Sequence, residues 1–199
     1  MTFIHPSEIK DEQFGDIAFL IDCFEHLIEP AEVLHNVHRW LRTNGILWVG
    51  SIGWYNYMAA HCDSHIPIPW SQLLFSEDAI LRTIRAIIRE PGYQKNVWEQ
   101  SEGIERWDNV NTLRERPGEP LNMLSLRKVR KILQASEFQN IQFKVHGFSG
   151  ARSKLLHRLR SLSRLPLLDE LLHSYYTIRA LKQPVSSDPI MASLKLSKH

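Results

Sequence analysis

Residues 17–49 decide the fold, and they read IAFLIDCFEHLIEPAEVLHNVHRWLRTNGILWV. The continuous apolar runs at 17–21 and 46–49 are typical of strands buried on both faces of a parallel sheet. Between them, Pro30 is expected to begin a helix and Gly45 to end it. The apolar residues of this helix form one stripe: Val33, Leu34, Val37, Trp40 and Leu41. The stretch therefore predicts a strand–helix–strand unit with two parallel strands and a right-handed connection.

Further signals along the chain predict more helices and two later strands. Ser76 and Ser125 each precede an amphipathic run, so both are expected to be helix N-caps. Strands are predicted at 141–145 and 175–181. Residues 99–121 are polar and interrupted by Pro and Gly, which is typical of a long functional or mobile loop. The pattern indicates an α/β protein with a mostly parallel sheet and a late strand pair.

Composition limits the class of protein. The 199 residues are 43% hydrophobic and 23% charged, which fits one ordinary domain. With 24 basic and 22 acidic residues the net charge is +2, which excludes a nucleic-acid-binding field over the whole surface. Two cysteines cannot form a disulfide framework. No apolar run approaches the roughly 18 residues of a membrane span, and there is no signal peptide, so we expect a soluble cytoplasmic protein.

Two segments of the decisive stretch resemble a known family. Residues 14–27 (FGDIAFLIDCFEHL) and 39–47 (RWLRTNGIL) are similar to class I S-adenosylmethionine (SAM)-dependent methyltransferases. The subgroup is the broad type 11 and type 23 one that includes ubiquinone-biosynthesis enzymes. Residues 121–138 and 174–184 resemble the same family more weakly. The resemblance implies a Rossmann-like sheet of strand order 3-2-1-4-5-7-6, in which the four predicted strands are strands 4, 5, 6 and 7.

The chain departs from the family pattern in two places. The family has an acidic residue and a Gly-x-Gly-x-Gly turn after strand 1, but here no glycine precedes Gly15 and Gly-x-Gly occurs nowhere. That turn matters because glycines let the backbone approach the cofactor closely. In addition, Ser136-Glu137-Phe138 stands where the family usually has Ala-Gly-Phe. We therefore expect an N-terminally truncated methyltransferase with impaired cofactor binding and an exposed strand-4 edge that favours self-association.

The expected fold class is α/β, a partial Rossmann-like class I methyltransferase sheet (strands 3/4 to 7) with a late antiparallel strand pair and a C-terminal helical insertion. It forms one incomplete domain over residues 1–184. Its expected parts are a strand–helix–strand core at 1–52, substrate-side loops and a helix at 53–124, a helix and strand 6 at 125–150, a basic helical insertion at 151–172, strand 7 at 173–184 and a tail at 185–199.

A first candidate site follows the predicted strand 4, because open α/β sheets bind ligands at the carboxyl ends of their strands. The resemblance implies that SAM is the cofactor and that its methionine part lies here. The residues assigned to the cofactor are Ser7, Asp22, Cys23 and Phe24. Glu25 and His26 are candidates to position or deprotonate an acceptor hydroxyl. The alternative is that these two side chains only make local hydrogen bonds at the start of the next helical region.

A second candidate site is the segment His61-Cys62-Asp63-Ser64-His65. In an extended chain alternate side chains project to one side, so His61, Asp63 and His65 could form a two-His, one-carboxylate metal site. They could equally present an acid and a base to a substrate, and the resemblance implies substrate contacts here. Solvated or capping histidines are the third interpretation. These three residues are therefore candidate catalytic residues, and no metal ion is assigned.

Two further features bear on partners. Aromatic residues crowd around the predicted strand 5 and line an acceptor pocket or belong to the core: Trp48, Trp54, Tyr55, Tyr57 and Trp70. Residues 151–164 are basic and amphipathic, which fits weak contact with an anionic membrane surface or a solvated helix face. No aromatics interleave these cations, so nucleic-acid binding is not expected.

Two functions are open at this point. The chain is either the C-terminal portion of a SAM-dependent methyltransferase that acts on a small-molecule or lipid-like acceptor, or a catalytically inactive scaffold of that fold that associates with another chain.

Overall fold

A four-stranded mixed sheet with helices packed against it forms the centre of the molecule. The computed structural model describes Ile9 and residues 13–115, 119–148, 162, 165 and 167–184. The strands are β1 (Gly15–Ile21), β2 (Leu41–Ser51), β3 (Gln139–Gly147) and β4 (His173–Leu181). The helices are α1 (Pro30–Trp40), α2 (Ser71–Leu74), α3 (Glu77–Ile87), α4 (Val97–Glu102), α5 (Leu126–Ala135) and α6 (Leu168–Leu171). Short 3₁₀ turns occupy Phe24–His26, Ile104–Trp107 and Leu113–Glu115.

Some of the predicted features lie outside the described residues. These are the candidate cofactor residue Ser7, most of the basic segment at 151–164 and the tail at 185–199. Within the part of the chain that is described, no helix is both long enough and apolar enough to span a bilayer.

The order of strands in the sheet is β1-β2-β4-β3. β1 and β2 are parallel neighbours, whereas β4 is antiparallel to both β2 and β3. All four predicted strands are thus confirmed, and the two decisive apolar runs lie side by side in one sheet. The late strand β4 inserts between β2 and β3, which is the 4-5-7-6 order that the resemblance implies. The mixed α/β class predicted from the sequence is confirmed.

The first helix begins as predicted but ends early. Pro30 occupies its first turn, and the helix stops at Trp40 rather than at Gly45. The reason is that Leu41 already has an extended backbone and begins β2, where it pairs with β1. The prediction that Gly45 ends this helix is therefore wrong.

Gly45 instead lies in a bulge of β2. Between Leu41 and Ile46, four residues of β2 stand opposite a single residue of β1. A Cβ on Gly45 would lie 2.8 Å from the carbonyl oxygen of Arg42, closer than real Cβ contacts allow. The close backbone approach at the bulge therefore requires this glycine.

Both predicted N-caps are confirmed. The Ser76 hydroxyl accepts a hydrogen bond from the Ala79 amide at the start of α3, and the Ser125 hydroxyl accepts one from the Lys128 amide at the start of α5, each at 3.2 Å.

The prediction of an irregular loop at 99–121 is wrong in part, because this stretch contains the end of α4 and two 3₁₀ turns.

Two clusters of buried apolar side chains stabilise the fold. The main core lies between the sheet and helices α1 and α5, and its central residues include Leu34, Leu47 and Leu133. A second core joins α3 to the segment at 104–121 through side chains such as Ile84 and Trp107. This second core accounts for the packing of the described part of the segment, 104–115 and 119–121, although it is polar in sequence: apolar side chains such as Val110 and Leu113 are buried in the core.

Among the residues that the structure describes, strand β1 lies at the edge of the sheet and one of its faces is uncovered. Ala18 and Leu20 pack against the main core, whereas Ile17, Phe19 and Ile21 are exposed, Phe19 to 65%. The prediction that this strand is buried on both faces is therefore wrong for the described residues. An exposed apolar row on an edge strand is a surface that another element can cover.

Candidate functional site

A cavity of about 530 Å³ opens at the carboxyl ends of β1 and β2. Five of the candidate site residues line it: Asp22, Glu25, His61, Asp63 and His65. The two segments that carry them are far apart in sequence, and the parallel pairing of β1 and β2 brings them to the same edge of the sheet. The prediction that ligand-binding groups gather at this edge is consistent with the cavity's position.

Two neighbours hold Glu25, one at the end of β2 and one in the loop before α5. It lies in the 3₁₀ turn after β1 and is buried, and the hydroxyl of Ser51 at the end of β2 donates to its Oε2 at 2.5 Å. The Asn122 amide donates to the Glu25 carbonyl at 2.8 Å, and the Asn122 side chain donates to the carbonyl of Phe24 at 2.7 Å. Ser51 therefore holds the carboxylate and Asn122 holds the backbone beside it, and neither partner comes from the segment that carries Glu25.

His26 has a defined tautomer. Its Nδ1 lies 2.9 Å from the Pro120 carbonyl, which can only accept, so Nδ1 carries the proton and Nε2 presents a lone pair when the ring is neutral. The His26 and His61 rings meet edge to face, with centroids 5.0 Å apart and planes at 86°. One ligating atom from each of Glu25, His26 and His61 lies within 4.8 Å of the other two.

The segment from His61 to His65 is a turn and not an extended strand. The amides of His65 and Ile66 both donate to the Cys62 carbonyl, at 2.9 and 2.7 Å. Alternate side chains therefore do not project together: His61 meets His26, Asp63 lies on the cavity wall, and His65 turns into the interior. The open alternative of a metal site formed by His61, Asp63 and His65 required an extended backbone, and the structure has a turn here instead.

His65 instead belongs to a buried polar network centred on Glu99. Its Nε2 lies 2.7 Å from Glu99 Oε1, and the hydroxyl of Tyr93 donates to Glu99 Oε2 at 2.6 Å. The indole of Trp107 also donates to Glu99, at 3.1 Å. Burial alone would raise the pKa of Glu99, but hydrogen bonds from Tyr93, Asn96, His65 and Trp107 outweigh it and lower that pKa. This network ties α4 to the cavity wall.

The residues assigned to the cofactor occupy different environments. Asp22 lines the cavity with a left-handed backbone (φ 49°), a strained conformation for a residue other than glycine. Cys23 is half-buried, and burial, then the Glu25 and Asp22 carboxylates, raise the pKa of its thiol. The Phe24 side chain is fully buried in the main core, so the structure does not bring it to the cavity.

Of the five aromatic residues expected to line a pocket or to pack in the core, Tyr57 alone lines this cavity. Trp48 is 38% exposed on the uncovered face of the sheet. Trp54 packs against the second core, and the Trp70 indole donates to the Leu171 carbonyl at 3.3 Å. The five aromatic residues are therefore divided between the cavity wall, the second core and the surface, where Tyr55 is also 38% exposed.

Sequence reasoning missed three residues that shape the site. Glu99 had a usable signal, because Asn96-x-x-Glu99 is a capping-box pattern and the structure contains that box. Ser51 directly follows the predicted strand 5, where a polar side chain could have been singled out. Asn122 had no local signal, since its partners are more than 90 residues away in the chain.

No family model matches the chain, and no curated protein matches it. Three similar solved structures are all methyltransferases by name. The first is phosphoethanolamine N-methyltransferase 2 of Haemonchus contortus, at TM-score 0.42 and 11% identity over 90% of this chain. The second is a SAM-dependent methyltransferase of Thermotoga maritima described as a possible histamine N-methyltransferase, at TM-score 0.42 and 10% identity over 86%. The third is a SAM-dependent methyltransferase of Archaeoglobus fulgidus, at TM-score 0.38 and 12% identity over 86%. The chain spans between 36% and 61% of the length of these proteins.

Proposed function

We propose that these residues form the strand-4 to strand-7 half of a SAM-dependent methyltransferase domain, and that the cavity at the ends of β1 and β2 receives the methyl acceptor. The acceptor is a small-molecule or lipid-like compound. The observation that carries the proposal is the sheet order β1-β2-β4-β3 with β4 antiparallel. It is the order 4-5-7-6 that the family resemblance implies.

The cavity suits an acceptor in size and in chemistry. A volume of about 530 Å³ lies in the range of small-molecule sites. Its wall combines carboxylates such as Asp22 and Glu25 with His61 and the aromatic ring of Tyr57. Polar groups at fixed positions can orient a hydroxyl or an amine. In this proposal Glu25, His26 and His61 hold the acceptor.

The described residues fit only one end of the cofactor. In this proposal Asp22, which lines the cavity after β1, contacts the polar methionine end. The 199 residues contain no Gly-x-Gly turn for the nucleoside end. SAM supplies the methyl group. The protein's own contribution is alignment of the acceptor and exclusion of water, since the Glu25 carboxylate and its Ser51 partner are both buried.

Reading the DNA upstream of Met1 in frame tests the proposal. We expect it to encode an acidic residue followed by Gly-x-Gly-x-Gly, and the extended protein to release S-adenosylhomocysteine from SAM when an acceptor is supplied. Asp22→Asn should weaken SAM binding by the extended protein, whereas Asp63→Asn, on the same cavity wall, should leave it unchanged. A folded extended protein that does not bind SAM would contradict the proposal.

The uncovered face of β1 favours a second candidate function. If an in-frame stop codon lies directly upstream, we propose a scaffold module whose β1 edge pairs with another chain. The exposed row of Ile17, Phe19 and Ile21 supports this alternative, because an apolar edge strand gains stability when another element covers it. Copurification of a stoichiometric partner that is lost on Phe19→Asp would support it.

A further inference from the structure

We infer that Glu25, His26 and His61 form a binding site for one divalent transition-metal ion, whose remaining coordination positions take an oxygen ligand from the cavity. These three residues were not predicted to lie together, because the spacing in the sequence suggested a set of His61, Asp63 and His65. The ion-binding claim does not require methyl transfer, so its test and the test of the proposed function can fail separately.

The three side chains offer a ligand set that transition ions prefer. Two imidazole nitrogens and one carboxylate oxygen lie within 4.8 Å of one another. In a tetrahedral site with bonds near 2.1 Å, ligand atoms are about 3.4 Å apart. The side chains therefore need to close by no more than about 1.4 Å, which small rotations about their side-chain bonds supply.

His26 and Glu25 each have a hydrogen-bond partner of the kind that orients the ligands of metal sites. The Pro120 carbonyl accepts from Nδ1 of His26 and so directs the Nε2 lone pair away from the backbone. The Ser51 hydroxyl occupies one oxygen of the Glu25 carboxylate. Such partners fix the tautomer and orientation of a ligand before the ion arrives, which lowers the cost of binding.

His61 reaches the cluster through an unusual backbone. Its φ of 50° is left-handed, a conformation that costs free energy for a residue with a Cβ. That conformation turns the chain after Ala60 so that the imidazole meets His26 edge to face, at 5.0 Å between centroids. The same strain occurs at Asp22, on the opposite segment of the same cavity.

The composition of the cluster indicates the type of ion. Imidazole ligands suit Zn²⁺, Fe²⁺, Ni²⁺ or Cu²⁺, whereas Mg²⁺, Ca²⁺ and Mn²⁺ prefer oxygen ligands. Three protein ligands leave one or more positions open, and two of the three, Glu25 and His61, line the cavity. An oxygen ligand such as an ionised hydroxyl or a carboxylate can therefore reach the ion from the cavity, with the ion lowering the pKa of a bound hydroxyl.

The test is calorimetric titration of Zn²⁺ and Co²⁺ into the full chain, together with the visible absorption of the Co²⁺ complex. We expect one strong site per chain. His61→Ala and Glu25→Gln should each weaken that site at least about tenfold, and Ser51→Ala should weaken it by a similar factor because it frees the carboxylate. His35→Gln is the matched control: His35 is an exposed histidine on α1, and its loss should leave the strong site unchanged.

Circular dichroism and thermal unfolding are measured for every variant. If Glu25→Gln does not fold, His61→Ala decides the result, since His61 contributes to the cavity wall and not to the main core. Zn²⁺ should raise the melting temperature of the unsubstituted chain and not that of His61→Ala. Absence of strong binding, or strong binding that survives both His26→Ala and His61→Ala, would overturn the inference.

Discussion

Acidification is expected to destabilise the protein through one buried side chain, His173, at the start of β4. Its ring is fully buried. Nδ1 donates to the Asp169 carbonyl at 2.8 Å, and Nε2 accepts from the Gly53 amide at 3.1 Å. Protonation would place a second donor against the Gly53 amide, so the folded protein requires the neutral ring.

The size of the effect follows from the pKa of His173. Burial lowers this pKa from its ordinary value of 6.5 to about 4, against the opposing effect of the Asp169 and Glu170 backbone. The unfolded chain therefore binds this proton as the pH falls through 6.5, while the folded protein does not. The neutral His173 ring makes its full contribution to the free energy of unfolding above pH 6.5, and this contribution is lost progressively as the pH falls towards 4. At about 1.4 kcal/mol per pKa unit the loss reaches about 3 kcal/mol.

Urea unfolding at a series of pH values between 7 and 4 measures this loss. The matched variant is His173→Gln, which keeps an acceptor for the Gly53 amide but does not titrate in this range. Carboxylates contribute equally to the pH dependence of both proteins. The difference between the two pH profiles therefore reports the titration of His173 alone. We expect the unsubstituted protein to lose about 3 kcal/mol more than the variant. Parallel pH profiles for the two proteins would refute the reasoning.

Three further predictions concern the network, the end of α1 and the sheet edge. Glu99→Ala should lower the free energy of unfolding by about 3–5 kcal/mol, because it leaves several buried donors without an acceptor. The control Gln100→Ala, at an exposed position, should change it by less than about 0.5 kcal/mol. Equal effects of the two substitutions would contradict the role of the network. Lys182→Met should cost about 1–3 kcal/mol in urea unfolding, since its ammonium donates to two carbonyls at the end of α1; an unchanged midpoint would count against this. Phe19→Asp should reduce self-association measured by sedimentation velocity. Leu74→Asp should not, although Leu74 is 63% exposed and Phe19 is 65% exposed. Identical sedimentation of both variants would contradict self-association through the edge of β1.

Local patterns predicted the elements of this fold well. Ser76 and Ser125 are N-caps as expected, since a cap depends on residues within one helical turn. The order of the strands followed from the resemblance of one strand–helix–strand block. The end of α1 was misplaced because Gly45 is equally suited to a helix stop and to a bulge, and the pairing of β1 with β2 decides between them.

The candidate site was predicted less completely, and the reason is again long-range contact. The edge of the sheet was identified, because strand direction alone places Glu25 and the segment after β2 together. The internal arrangement was not, because a single backbone turn at Cys62 sends His65 inward to Glu99 and leaves His61 beside His26. No spacing within five residues of sequence distinguishes that turn from an extended chain.

The most direct test of the central claim is an equilibrium titration of labelled SAM, first into the 199-residue chain and then into the same chain joined to the residues encoded upstream. The 199 residues contain no Gly-x-Gly turn, so we expect no saturable binding to them at micromolar SAM and saturable binding to the longer protein. Micromolar affinity of the chain alone, or none in a folded longer protein that carries the glycine-rich turn, would contradict the claim that β1 to β4 are the second half of a methyltransferase sheet.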